Sequence, residues 1–338
     1  MLLRLSLIKA AHFIVLTCAI FSVITLYGFE QTYDYNNYKN WFEIVNSYYS
    51  PHFVFKDPFY FLLSIFYGGL GMPVYWVIAT LVFLSLFTKL IFIYRFSYSV
   101  FFLFVWLYFC RVFFIHDLIQ FRIAAASGFG AIFISSLVSN NKKAAIGWLL
   151  LAISIHMSTI LYFFIYSFFG ISKKSSLTNK YFYVSLVFLP ICLFLGADEQ
   201  IFINVIGIIP IIGPRVIPYL NGTYAYETLS LINFYLFSKL FFYVFFVVLN
   251  SIKNKASINK DKLVLHYLSF FCSIFGTCLF LLFRWNDALA LRFSDTFLVF
   301  DILFFSMFVI YFNARAKVLV FLMLITFGFF LLYSSLRV

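Results

Sequence analysis

Long apolar runs broken by short polar stretches set the pattern of this chain. Runs of the roughly 20 residues needed to cross a bilayer fall at about 8–28, 73–94, 98–115, 118–139, 181–197, 230–249, 263–283, 293–312 and 316–336. Each predicts a transmembrane helix, which satisfies every backbone polar group within one segment. Two stretches do not fit. Residues 144–171 stay apolar for about 28 positions but carry Ser154, His156, Ser158 and Thr159 in their middle, and 58–70 is too short to span comfortably. No soluble domain, internal repeat or low-complexity linker separates the runs. The expectation is an all-α, polytopic transmembrane helical bundle, one domain over 1–338 with about 10–11 membrane segments.

Composition agrees. The chain is 64% apolar and only 11% charged, against roughly 25% charged in soluble domains, too few charges to coat a water-facing globule. The 52 Phe and 24 Tyr suit lipid-facing packing and interfacial belts. The net charge of +12 does not imply nucleic-acid binding, because most Lys sits in short loops, where it sets orientation. Cys18, Cys110, Cys192, Cys272 and Cys278 lie in apolar stretches without metal-ligand spacing and read as small packing residues. Basic Met1–Lys9 precedes an apolar run with no convincing cleavage site, so a retained first helix is expected.

Orientation follows from Lys and Arg. Arg4 and Lys9 place the N-terminus in the cytoplasm of an inner or plasma membrane. The clusters Lys142–Lys143, Lys173–Lys174–Lys180, Lys253–Lys255–Lys260–Lys262 and Arg315–Lys317 can all join it under two conditions. Segment 58–70 must not cross, and 144–171 must enter and return with its apex near His156, as two half-length helices facing a cavity. The alternative is one long tilted helix with the charge rule broken in one loop.

Under this topology the outer side gathers different chemistry. The first outer loop interleaves Asp34, Asn36, Asn37, Glu43 and Asp57 with Tyr33, Tyr35, Tyr38 and Trp41. That pattern matches a sugar surface, aromatic faces covering C–H patches while amides and carboxylates take hydroxyls. An interfacial aromatic belt is the bland reading. Arg111, His116, Asp117, Gln120 and Arg122 cluster between two spans, with Asp117 in the first turn of the second. Arg122 at the membrane edge needs a partner or a wet cavity. A structural pair with Asp117, or an Asp117–Arg111 pair, competes with an anion site, since the guanidinium fork matches phosphate oxygens. Arg215, Arg284 and Arg292 repeat the theme, although Arg284 alone is equally well an interfacial snorkelling residue. His156 is either a satisfied packing residue, a proton acceptor, or a donor to a phosphate oxygen. No phosphate loop, zinc or calcium motif, or metal-holding acidic pair is present, so no metal and no cofactor are expected.

The ordered motifs Asp34-Tyr35-Asn36-Asn37-Tyr38, Phe55-Lys56-Asp57-Pro58-Phe59, His116-Asp117-x-x-Gln120-x-Arg122, Ile155-His156-Met157-Ser158 and Leu291-Arg292-Phe293-Ser294 resemble the bacterial polysaccharide polymerases of the Wzy O-antigen polymerase and EpsG-like group. Typical members carry an acidic residue, often Glu, where this chain has Asp57. The resemblance implies a GT-C-like glycosyltransferase that needs no nucleotide sugar. Both substrates would be undecaprenyl-diphosphate-linked oligosaccharides at the periplasmic face of the inner membrane, with membrane lipid and a chain-length regulator protein as further partners. Arg122, Arg215 and Arg292, with Arg284, would hold the diphosphate, and Gln120, His116, Arg111, Tyr35 and Tyr38 would line the site. For the proton of the acceptor hydroxyl the order of candidates is His156, then Asp34, then Asp117. The rivals are a lipid-linked oligosaccharide flippase, an O-antigen ligase and a small-solute transporter. The last would place ionisable groups at the bilayer midplane, whereas here they are expected at span ends.

Overall fold

Charge-poor runs wind into helices, and among the described residues every regular element is helical. The computed structural model describes residues 34–47, 57–94, 96–171, 187–193, 234–252 and 260–335. The expected first span at 8–28, most of 181–197, Arg215 and the outer loop around it lie outside these residues.

Helices α1 (Tyr35–Ser47) and α2 (Pro58–Gly69) precede α3 (Tyr75–Tyr94) and α4 (Tyr98–Leu107), which continues as a π-helix over Tyr108–Asp117. Then follow α5 (Phe121–Val138), α6 (Lys142–Ile155), a 3-10 turn (Met157–Leu161) and α7 (Tyr162–Ile171). The later elements are α8 (Phe234–Ile252), α9 (Lys260–Leu282), α10 (Asp287–Asp295), α11 (Leu298–Met307), a 3-10 turn (Phe308–Tyr311) and α12 (Ala314–Ser335). Among the described residues six helices are long and apolar enough to cross a membrane: α3, α4 with its π continuation, α5, α8, α9 and α12. The run expected as one span over 293–312 is instead broken. Asn286 caps α10, its side chain accepting from the Leu289 N–H at 3.1 Å, and the chain bends by 51° between α10 and the helix that follows. Pro58–Gly69 stays short, as expected.

The 144–171 stretch does reverse. Between α5 and α6 the turn is tight: Asn140 takes a left-handed φ of 58°. The Asn141 N–H bonds Ser136 O and the Asn140 N–H bonds Leu137 O, both at 2.9 Å, a helix-ending arrangement that favours Gly or Asn at this position. Asn141 also caps α6. The two helices run antiparallel, with Phe129 stacked on Trp148 at 5.8 Å. In an unbroken helix Tyr162 would lie about 20 Å beyond Trp148. Instead its ring stacks on Phe133 at 6.2 Å and fills the space over Gly130, where a Cβ would strike it. The chain therefore turns back at His156, whose extended backbone (φ −151°, ψ 120°) ends α6.

The described residues form two compact units. One draws on Met1–Phe169 and Phe305–Val338, the other on Gly170–Phe304. In the first, α3 packs on α5, with Gly128 admitting the Thr88 side chain, and α12 packs on the 98–117 segment. There Trp106 Nε1 donates to Ile325 O at 3.1 Å over Gly328. In the second, Tyr243 and Phe246 of α8 pack with Phe270 of α9 and with Phe304.

Candidate functional site

Arg122 opens α5, and three elements close around it. Asp57 precedes the Pro58 that starts α2, a position where proline's missing N–H is harmless. Its carboxylate pairs with Arg122 Nη1. Helix α1 is amphipathic, and its packed face brings Tyr38 and Trp41 inward. The Arg122 backbone N–H and Nε donate to Tyr38 Oη at 3.3 and 3.4 Å. The guanidinium lies 5.1 Å from the Tyr38 ring, 5.5 Å from Trp41 and 5.6 Å from Tyr60, within cation–π range of all three. Tyr60 Oη donates to Tyr38 O at 2.7 Å and Asn46 Nδ2 to Ser64 O at 3.2 Å, which ties α1 to α2. Burial pushes the Tyr38 phenol above its ordinary value despite the pull of Arg122, so it remains a neutral phenol. The Arg122 side chain keeps 24% exposure while Asp57 keeps 6%. Nη1 and Nε are engaged, and among the described residues no protein acceptor takes Nη2. The site grips a guanidinium by two edges and leaves a third.

His156 shares this end of the hairpin. Counting seven residues from Phe129 back to Arg122, and seven from Trp148 on to Ile155, sets both ends about 10 Å from the Phe129–Trp148 contact. Arg122 and His156 thus stand at one height on neighbouring helices. The His156 backbone is locked: its N–H donates to Ala152 O at 3.0 Å, and its carbonyl accepts from the Thr159 N–H at 3.1 Å and from Thr159 Oγ1 at 2.7 Å. The ring caps the 3-10 turn, Nδ1 accepting from the Ser158 N–H at 3.2 Å with Ser158 Oγ at 2.8 Å.

Asp117 belongs elsewhere. It ends the π segment rather than entering the first turn of α5, and it is fully buried. Its Oδ1 accepts from Ser85 Oγ at 2.5 Å, Tyr108 Oη donates to Oδ2, and Lys89 Nζ lies 3.7 Å from Oδ2 and 2.6 Å from Ser85 Oγ. Nine α-helical residues make about two and a half turns, which would set Tyr108 and Asp117 on opposite faces. The wider π winding removes about half a turn and brings them together. So Arg122 pairs with Asp57, and Asp117 with Lys89; neither an Asp117–Arg122 nor an Asp117–Arg111 pair forms. Arg111 Nη1 instead donates to Ser335 Oγ at 3.2 Å, and His116 is fully buried on the π segment.

The expectation that ionisable groups stay at span ends is corrected as well. Lys89 lies within α3. In the second unit Lys239 of α8 pairs with Asp301 of α11 at 2.8 Å, supported by Tyr235 Oη at 2.7 Å and Ser273 Oγ at 2.5 Å. The aromatic loop also divides: Tyr38 and Trp41 turn onto Arg122, while Asn36, Asn37 and Asn40 stay exposed. Asp34 starts α1, its carbonyl accepting from the Tyr38 N–H at 3.1 Å and its side chain from Asn37 Nδ2 at 3.2 Å, with Tyr35 half-buried beside it. Gln120 precedes α5 and accepts the Ala124 N–H at 2.9 Å. Arg284, half-buried, and Arg292, exposed on α10, belong to the second unit. Among the described residues no group of three or more His, Cys, Asp and Glu could hold a metal ion.

In comparison with known proteins, the model of the EpsG family matches residues 13–338. No curated protein and no solved structure matches.

Proposed function

The chain belongs to the EpsG family of polysaccharide-polymerase-type membrane proteins, and from that premise we propose that it extends a lipid-linked glycan at the outer face of a bacterial inner membrane. Both substrates would be undecaprenyl-diphosphate-linked oligosaccharides. The acceptor hydroxyl oxygen bonds the anomeric carbon of the donor chain, and the bond from that carbon to the diphosphate oxygen breaks. Undecaprenyl diphosphate leaves with the electron pair, and the hydroxyl proton passes to a base.

The observation that carries this reading is Arg122. Its Nη1 and Nε are fixed by Asp57 and Tyr38, and its Nη2 edge remains for phosphate oxygens. A preorganised, partly desolvated cation is what a departing diphosphate requires. Arg284 and Arg292, in the second unit, stay with Arg215 as anion-binding candidates on the sequence pattern alone.

The full-length protein in nanodiscs, given a defined undecaprenyl-diphosphate-linked repeat unit, should produce a polymer ladder. Arg122→Ala should lose the ladder while still inserting, and Arg122→Lys should recover little, because an ammonium cannot reproduce the planar fork. A normal ladder from Arg122→Ala overturns the clamp. Transbilayer movement of the lipid without polymer, or transfer onto a lipid A core, overturns the polymerase.

A further inference from the structure

His156 is the residue whose chemistry the hydrogen bonds decide. A backbone N–H can only donate, and the Ser158 N–H points at His156 Nδ1 from 3.2 Å. Nδ1 must therefore present its lone pair, and in neutral imidazole the proton then sits on Nε2. The only lone pair of the ring is already committed to capping the 3-10 turn. Accepting a substrate proton there would break the cap and set an N–H against an N–H. The backbone that carries the ring is held as well, because the same turn binds its carbonyl twice through Thr159.

We infer that His156 is a hydrogen-bond donor through Nε2–H to an anionic oxygen of the substrate, and that Ser158 is the positioning residue that fixes its tautomer. This rests on the reading of a diphosphate-bearing substrate, and it removes His156 from the head of the list of bases. The placement suits the role. Packed helices lie about 8–10 Å apart, so Arg122 and His156, level at the end of the α5–α6 hairpin, can approach one bridging anion from two sides. A guanidinium edge and an imidazole N–H are both donors, matched to phosphate oxygens rather than to a hydroxyl that must lose a proton.

The side-chain amide of Gln reaches about as far as Nε2 and keeps a donor there, whereas Ala keeps none. Binding of undecaprenyl diphosphate, the lipid anion without sugar, should be measured on full-length protein in nanodiscs. His156→Ala should weaken it roughly ten- to hundredfold, the range for a hydrogen bond to a charged group, and His156→Gln should restore most of that loss. Nitrogen NMR of His-labelled wild type, with the His156 signal assigned by its absence in His156→Gln, should show a protonated Nε2 and an unprotonated Nδ1. Ser158→Ala, which keeps the backbone N–H, should leave that signature in place. A protonated Nδ1, or His156→Gln as weak as His156→Ala, overturns the donor role. Wild type that neither binds this lipid nor polymerises overturns the functional reading, and the inference with it.

Discussion

The Lys89–Asp117 pair offers the sharpest test of how the first unit is held together. Both side chains are sealed, at 1% and 0% exposure, inside helices that carry few other charges. Removing one partner strands the other. In Asp117→Asn the left-over ammonium can escape only by losing its proton, which at pH 7 costs about 4.6 kcal/mol from an ordinary lysine value near 10.4. In Lys89→Met the carboxylate can be protonated for about 4.2 kcal/mol from an ordinary value near 3.9, with Ser85 and Tyr108 still donating to it. Those figures are ceilings, and both fall within the roughly 3–5 kcal/mol typical of a broken buried pair. The double variant Lys89→Met with Asp117→Asn strands no charge, and the Asn amide can accept from one of the Tyr108 and Ser85 hydroxyls while its NH2 donates to the other, so it should fall within about 1 kcal/mol of wild type. The assay is a double-mutant cycle of unfolding free energies in one detergent, with steric trapping or denaturant titration as readout. Expected are two large single losses and a small double loss, a coupling of several kcal/mol. Additive losses, or an Asp117→Asn protein as stable as wild type, would refute the argument that the pair carries charge at all.

Lys239→Met should destabilise the second unit by a similar few kcal/mol, and adding Asp301→Asn should relieve it, read by the same cycle. Gly130→Val should disrupt the return of the chain after His156, since Tyr162 is fully buried and cannot withdraw. About 1–3 kcal/mol of overpacking is expected in a thermal melt, with partial relief from Tyr162→Ala in the same chain. Asp57→Asn should leave the fold intact but loosen Arg122, lowering kcat for a lipid-linked glycan more than it raises KM, as steady-state kinetics would show.

The spans were legible because a bilayer demands about 20 apolar residues and charge-free windows of that length are hard to disguise. The turn at His156 was legible for a related reason: polar residues in the middle of a run too long for one helix. Three features were not. A π winding over Tyr108–Asp117 leaves no composition signal, and it decides which side chains Asp117 meets. The break near Thr296 falls at the polar triplet Ser294-Asp295-Thr296, at the very edge of the run, so 293–312 read as one helix that merely began on polar residues. Lys89, Lys239 and Asp301 were absorbed into apolar runs as single exceptions. A usable signal existed in the spacing of Ser85 and Lys89, and of Tyr235 and Lys239, four residues apart and so on one helical face. A charge inside a span must have a partner, and a polar neighbour one turn away says which face holds it.

Accounting for donors separates the charges that hold the fold from those that can meet a substrate. The two buried clusters have the same composition. In each, an Asp takes Ser on one oxygen at 2.5 Å, takes Tyr and Lys on the other, and the Lys nitrogen sits 5.2 or 5.1 Å from the Tyr ring centre. The chain order differs: Ser and Lys share a helix in the first unit, Tyr and Lys in the second. One solution reached from two arrangements points to a common physical demand, the satisfaction of a desolvated carboxylate, rather than to a shared ligand. Arg122 departs from that pattern. It keeps a quarter of its side chain exposed, its Nη2 has no acceptor among the described residues, and the faces of Trp41 and Tyr60 attract the cation without consuming a hydrogen bond. The buried charges of this fold are neutralised by the protein itself, and the donor edge that Arg122 leaves over is the part of a span-end cation that solvent or a ligand can reach.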